Sequence, residues 1–284
     1  MTFTPSEGIP GTYLQVPCGQ CIGCRLEKSK KWAIRCVHES KMHAKNCFVT
    51  LTYHENFIPR CRMSVASEEG QITLPTLNKD HFTKFMKRLR FKYGEGIRFF
   101  HCGEYGESSL RPHHHACLFG HDFEDKVLWT IRNRVRLFRS AELEELWPYG
   151  FSTVGEVNFE SAAYVARYIM KKVTGKNAEE WYQGRCTEYI TMSRKPGIGR
   201  SWLDKYIDDV YPNDYIVVRD GVKCKPSRYY DDIYDKIDNK NMKKIKKERI
   251  EKIKKYENNN TPCRLEVRQE VLKSRIINLK RSLE

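Results

Sequence analysis

The chain has 284 residues, of which 51 are Lys or Arg and 36 are Asp or Glu, a formal net charge of +15. Hydrophobic residues make up 40% and aromatics 12%, too much apolar material for a wholly disordered chain. No run approaches the roughly 18 apolar residues of a membrane span, and the opening MTFTPSEGIPGTYLQ lacks the basic start and apolar stretch of a secretory signal, so the cytoplasm is the expected place of action. The charge is uneven. Over residues 221–284 Lys and Arg outnumber Asp and Glu by 19 to 10, so the first 220 residues carry only +6. A basic chain of this kind fits a polyanionic partner, because Lys and Arg displace the counterions condensed on phosphates.

In chain order, the first feature is the cysteine run PCGQCIGC, with Cys18, Cys21 and Cys24. A helix follows, in which Trp32, Ala33, Cys36 and Val37 recur on one face. CFVTLTY, residues 47–53, is rich in β-branched and aromatic residues and reads as a strand. Residues 54–75 read as a loop. TLNKDHFTKFMKRLRFKYGEG reads as an amphipathic helix with Phe82, Phe85, Met86 and Leu89 on its apolar face, stopped by Gly94 and Gly96. IRFFHCGEYG and HHHACLFG read as two more strands. A helical stretch is expected around residues 138–147, then a strand in GFSTVGEVN and a helix in SAAYVARYIMKKVTG. Residues 176–230 mix short elements. Beyond 231 the chain is Lys-rich and helical, with Met242, Ile245, Ile250, Ile253 and Tyr256 able to share one face. This order predicts an α+β fold in which helices pack on an antiparallel sheet.

The sharpest chemistry lies in RPHHHACLFG, residues 111–120. Successive strand residues point to opposite faces, so His113 and His115 project together and His114 projects away. Two imidazoles so placed can bind one divalent metal, or they can sit idle at a strand end. Glu104, in HCGEYGE, can add a carboxylate on the same face, and Glu107 competes for that role. Two nitrogens, one carboxylate and open positions suit a catalytic Mg²⁺ or Mn²⁺, and Zn²⁺ is also compatible. In AAYVARYIMKKVTG, Tyr164 and Tyr168 stand one helical turn apart, and Lys172 extends the stripe with Lys171 beside it. A tyrosine pair is ordinary packing on its own. Next to a metal-polarised phosphate and a lysine, it becomes a candidate nucleophile pair.

Together these residues resemble the HUH endonucleases that initiate rolling-circle replication, and they are similar in particular to the replication initiators of gokushovirus-type microviruses. The resemblance rests on PCGQCIGCRLEKSKKWAIRC, FVTLTY, CGEYGE, RPHHHACLFG, YVARYIMKKVTG and SRKPGIGR, which run in that order over roughly residues 16–202. It implies a ferredoxin-like or RRM-like sheet and a catalytic domain over 47–230. The cysteine knuckle and basic helix precede it over 1–46, and a basic helical tail follows over 231–284. It implies metal-dependent nicking and rejoining of origin DNA, single-stranded or supercoiled, through a 5′-phosphotyrosine, with His113, His115 and Glu104 on the metal. Tyr164 and Tyr168 are then the nucleophiles, and Lys172 or Lys171 assists the transition state. It also implies action in the cytoplasm of an infected bacterial host, alongside the host helicase and polymerase. One departure is His114, where the wider superfamily prefers an apolar residue, so a one-residue slip would change which histidines face the metal.

Three smaller features remain. Cys18, Cys21 and Cys24 are spaced for structural zinc, with Cys36 or His38 as the nearest fourth ligand and unligated thiols as the other reading. Arg25, Lys28 and Lys31 follow the knuckle and can touch DNA phosphates, as can Arg194, Lys195 and Arg200 in SRKPGIGR. The tail is either a DNA arm or a solvated helix. Two rival readings stand beside the nickase: a zinc-knuckle nucleic-acid-binding protein without catalysis, and a metal phosphodiesterase using activated water. No GxxxxGK[ST] loop occurs, so ATP-driven unwinding is not expected of this chain.

Overall fold

A computed structural model describes residues 17–277 except 20, 63–71, 107–108, 133, 172, 174, 176 and 219–220, together with residues 2–3 and 14–15. The chain divides into two compact units, Met1–Ile198 and Gly199–Glu284. Among the described residues no helix is long and apolar enough to cross a membrane.

The first unit is built on a seven-stranded sheet. Its strands are β1 (Asn46–Tyr53), β2 (Arg98–Tyr105), β3 (Pro112–Phe119), β4 (Val127–Arg132), β5 (Val135–Arg139), β6 (Gly150–Gly155) and β7 (Tyr189–Met192). Their spatial order is β7-β2-β3-β1-β6-β5-β4, and every neighbouring pair is antiparallel. The helices of this unit are α1 (Ile22–Ser40), α2 (Lys79–Tyr93), α3 (Ala141–Leu146), α4 (Phe159–Lys171) and α5 (Ala178–Tyr182). The expected α+β class with a large antiparallel sheet is what the chain adopts.

The sheet is covered on both faces. Cys47, Val49, Leu51 and Tyr53 of β1 meet Phe82, Phe85, Met86 and Leu89 of α2 in the main core, joined by Leu143, Leu146 and Trp147. Each large apolar side chain buried there contributes about 2 kcal/mol. Helix α2 forms where its apolar residues recur at helical spacing. The Asn78 side chain accepts from the Asp80 amide at 2.9 Å to cap its start, and Gly94, at φ 99°, ends it. The opposite face carries α1 and α4. Trp32 of α1 stacks on Phe100 of β2 at 5.0 Å, and the Ser29 hydroxyl of α1 donates to the Ala163 carbonyl of α4 at 3.1 Å.

Two local expectations need correction. Residues 54–75 hold short paired strands, Arg60–Arg62 and Thr73–Pro75, where only a loop was expected. The helical stretch around 138–147 is shorter than expected, because residues 127–139 form the β4–β5 hairpin and the helix begins only after Ser140 caps Leu143. The β-branched and aromatic residues of VLWTIR and VRLFR favour pairing over helix.

The second unit contains α6 (Arg200–Val210), α7 (Arg228–Ile237), α8 (Asn239–Lys254) and α9 (Pro262–Ile277). Arg249 of α8 reaches both Asp214 and Asp231, and the Tyr211 hydroxyl donates to Asp231 at 2.8 Å. Met242 and Ile245 are buried as expected. Ile250, Ile253 and Tyr256 are exposed, so the apolar stripe of the tail serves packing only over its first turns.

Burial also sets an acid limit on the first unit. His38 of α1 is 2% exposed, and desolvation, helped by the Lys41 charge, lowers its pKa to about 3. Its unfolded value is near 6.5, so below that pH the unfolded chain takes up a proton that the folded chain refuses. Stability should therefore fall by up to about 1.4 kcal/mol per pH unit from pH 6.5 towards 3 on this account. Thermal melts across that range, with His38→Gln flattening the dependence, would check it.

Candidate active site on the sheet

The register of the central strands fixes the site. Across β2 and β3, Glu104 pairs with His113 and Cys102 with His115. Across β1 and β3, Thr50 pairs with His115 and Thr52 with His113. Alternation then sends Glu104, His113, His115 and Thr50 to the face covered by α1 and α4, and His114 to the face covered by α2.

His115 is 1% exposed and held from both ends. Its Nδ1 lies 3.0 Å from the Thr50 hydroxyl and its Nε2 2.7 Å from Glu104 Oε1. His113 is half-buried, with Nδ1 2.7 Å from the Arg111 carbonyl. A carbonyl only accepts, so Nδ1 donates to it, a backbone contact of the kind that orients metal-binding histidines. The His113 and His115 rings are nearly parallel, 6.3 Å apart. Tyr164 of α4 stands edge-on to His115 with ring centroids 5.1 Å apart, and Phe48 packs against both rings. The His115 Nε2–Glu104 Oε1 separation is close to the roughly 3.0 Å between two donors on adjacent octahedral positions at about 2.1 Å, but His113 does not join them in a group whose ligand atoms all lie within 4.8 Å of one another.

Behind this face runs a second histidine chain, buried except at its two ends. His101 Nδ1 meets Thr191 Oγ1 at 2.8 Å, and its Nε2 meets His114 Nδ1 at 3.1 Å. His114 Nε2 meets the Tyr53 hydroxyl at 2.9 Å, which in turn reaches His81 Nδ1 at 3.0 Å. Burial drives the His114 pKa down to about 3 and that of His101 well below its usual range, so both rings are neutral. A neutral imidazole has one donor and one acceptor nitrogen, which suits a ring bonded at both ends.

A sequence profile for the family of replication-associated proteins of the ORF2 type matches residues 46–173, which contain all these side chains except Thr191. Replication-associated protein VP4 of Bdellovibrio phage phiMH2K is 31% identical over 230 residues, covering 78% of this chain and 67% of that protein. Replication-associated protein ORF2 of Spiroplasma virus 4 is 34% identical over 227 residues, covering 76% and 66%. Replication-associated protein ORF4 of Chlamydia phage 1 is 29% identical over 233 residues, covering 78% of this chain and 54% of its own length. The chain belongs to the microvirus replication-associated proteins. No solved structure matches it.

In this replication-associated protein the other candidate residues fall into separate groups. Tyr168 and Lys171 lie on α4, but their side chains are outside the described residues, as are the whole of Lys172 and Glu107. Cys18, Cys21 and Cys24 bring their sulfurs within 4.8 Å of one another, the one such group of potential metal ligands among the described residues. Cys18 Sγ and Cys24 Sγ are 3.9 Å apart, and Cys18 Sγ accepts from the Cys21 amide at 3.2 Å. Tetrahedral zinc with bonds of about 2.3 Å needs sulfurs about 3.8 Å apart, so the geometry fits. Cys36 does not join them. Helix α1 carries it about 18 Å along the axis from Cys24, into the core, where it is fully buried. His38 is buried in the same way.

Lys28 is exposed and Arg25 half-buried on α1, while Lys31 pairs with Glu27 at 3.5 Å. Arg194 and Lys195 are exposed in the first unit. Arg200 begins α6 in the second unit, where its Nε donates to Asp204. Thr50 and the Arg111 carbonyl were not anticipated as parts of the site. Alternation along FVTLTY already puts Thr50 on the face of the paired histidines once the strands are aligned.

Proposed function

We propose that this chain initiates rolling-circle replication of phage DNA as an HUH-type endonuclease, cutting and rejoining one strand of the origin. The observation that carries this reading is the meeting of Tyr164 with His115, Glu104 and His113 on one sheet face. The names of its relatives, all replication-associated, support the setting.

Tyr164 supplies the nucleophile. Its phenolic oxygen attacks the phosphorus, the bond from phosphorus to the 3′ oxygen breaks, and the 5′ phosphate becomes an ester of tyrosine. The phenol's proton ends on the departing 3′ oxygen, so the step balances without water. Reversal, with a 3′ hydroxyl attacking the phosphotyrosine, rejoins DNA. His113, His115 and Glu104 would hold Mg²⁺ or Mn²⁺, whose charge, when bound, would polarise the scissile phosphate. Thr50 fixes the His115 ring from behind, and the Arg111 carbonyl fixes His113. Tyr168 is the second nucleophile, and Lys171 or Lys172 offsets charge on the phosphate. The liberated 3′ end would prime host polymerase, with a host helicase separating the strands.

The reading is tested by incubating the protein with Mn²⁺ and an origin oligonucleotide labelled on the 3′ side of the cut. Labelled DNA migrating with the protein on a denaturing gel is the expected result. Cleavage that leaves only free DNA would replace tyrosine with activated water.

The Cys18–Cys21–Cys24 knuckle is proposed to hold one zinc ion that ties the start of α1. Purified protein should contain about one zinc per chain by elemental analysis, lost in Cys18→Ser/Cys24→Ser. Zinc-free wild-type protein, purified without chelator and folded, would remove this assignment.

A further inference from the structure

The β4–β5 hairpin is not used by the chemistry above. It lies at the free edge of the sheet, and every residue of β4 except Thr130 is exposed. Val127, Leu128, Trp129 and Ile131 are large apolar side chains in water, with Val127 70% exposed. An edge strand of this composition is a liability unless something covers it.

Its charge says what covers it. Residues 126–139 contain five Lys or Arg and no Asp or Glu. Lys126 pairs with Asp122 and Arg139 with Glu144, while Arg132, Arg134 and Arg136 are exposed and make no ion pair among the described residues. Arg136 pairs across from Ile131 and Arg132 across from Val135, so the two arginines leave opposite faces of the ribbon. Arg134 is at the tip with φ 68°, a conformation that costs a non-glycine residue about 1 kcal/mol. Glycine would fit that backbone more cheaply. The ladder also slips between Leu128 and Thr130, leaving Trp129 as the extra residue of a bulge. Bulges re-aim a side chain. Trp129 is half exposed, with the Arg132 guanidinium 5.6 Å from its ring.

We infer that this hairpin is a single-stranded DNA clamp, with Trp129 stacking on an unpaired base and Arg132, Arg134 and Arg136 holding the flanking phosphates. A flat ring beside cations surrounding a narrow ribbon matches the two contacts by which single strands are held without sequence readout. The inference rests on the DNA reading above for its choice of polyanion, but not on cleavage.

The test is fluorescence polarisation with a labelled oligo-dT strand, without added divalent metal, using full-length Tyr164→Phe protein so that no cutting intervenes. Adding Trp129→Ala should weaken binding about tenfold or more. Adding R132Q/R134Q/R136Q should lower the slope of log affinity against log salt by about 2, at roughly 0.7 per lost phosphate contact, and the triple Lys variant should restore it. Unchanged affinity and slope, with far-ultraviolet circular dichroism and melting temperature equal to the parent, would overturn the proposal. So would tighter binding of a duplex than of the single strand, or a protein dimer that only the hairpin variants lose. Hairpin-dependent binding here, with no covalent adduct from the unmodified protein in the Mn²⁺ assay above, keeps the clamp and sinks the nickase. An adduct in that Mn²⁺ assay with hairpin-independent binding here does the reverse.

Discussion

Tyr164→Phe should cut origin-strand cleavage by about three orders of magnitude or more, with loss of the covalent protein–DNA band. The substitution removes one oxygen. The ring that stands edge-on to His115 and against Phe48 stays, so packing and the placement of Glu104, His113 and His115 should survive. This separates chemistry from folding, because circular dichroism and melting temperature should be unchanged while the adduct disappears. Tyr168→Phe measured beside it ranks the two nucleophiles in the first cut. If the double variant Tyr164→Phe/Tyr168→Phe still cleaved fully and still carried DNA, the tyrosine assignment would be wrong.

The second large effect is expected one face away. His114→Ala should destabilise the first unit by about 3 kcal/mol or more, and lower its melting temperature by roughly 10 °C. The loss has two parts: a cavity beside Phe82 and Trp147, and the removal of the ring that bridges His101 Nε2 and the Tyr53 hydroxyl. His113→Ala, at the half-buried position next door, should change stability by no more than about 1 kcal/mol while abolishing Mn²⁺-dependent cleavage. Melting curves and cleavage assays on the two variants are the check. Equal stability losses at the two positions would contradict the division of labour between the sheet faces.

That division shows what the sequence could and could not reveal. The alternation rule alone separated His113 and His115 from His114, because a strand has a fixed period of two. The α+β class and the apolar face of α2 were legible for the same reason: Phe82, Phe85, Met86 and Leu89 keep helical spacing. The slip that the HHH run allows on paper is opposed by partners far along the chain. A one-residue shift would bring His114 to the working face and take it from Tyr53 and His101, contacts 61 and 13 residues away. No local pattern encodes those contacts. Cys36 failed as a zinc ligand for a similar reason: it is near the knuckle in sequence, but a helix rises 1.5 Å per residue and carries it away. The hairpin at 127–139 was missed because its pattern is not a simple alternation, its period being broken by the bulge at Trp129.

The strand order carries a consequence for how the molecule comes into being. Strand β1 pairs with β6, about a hundred residues later, and β2 pairs with β7 across nearly ninety. Within the sheet, β2–β3 and β4–β5 can close as hairpins soon after they are made, and β5–β6 soon after across α3. Pairings of such long range pay their loop entropy before they return any contact, which slows folding. On a ribosome, β1 and its Thr50 would wait beside β3 until residues past 155 had emerged, and β2 would keep an open edge until 192. The machinery is therefore assembled late, and a chain cut short before α4 would carry its histidines without the tyrosine that faces them.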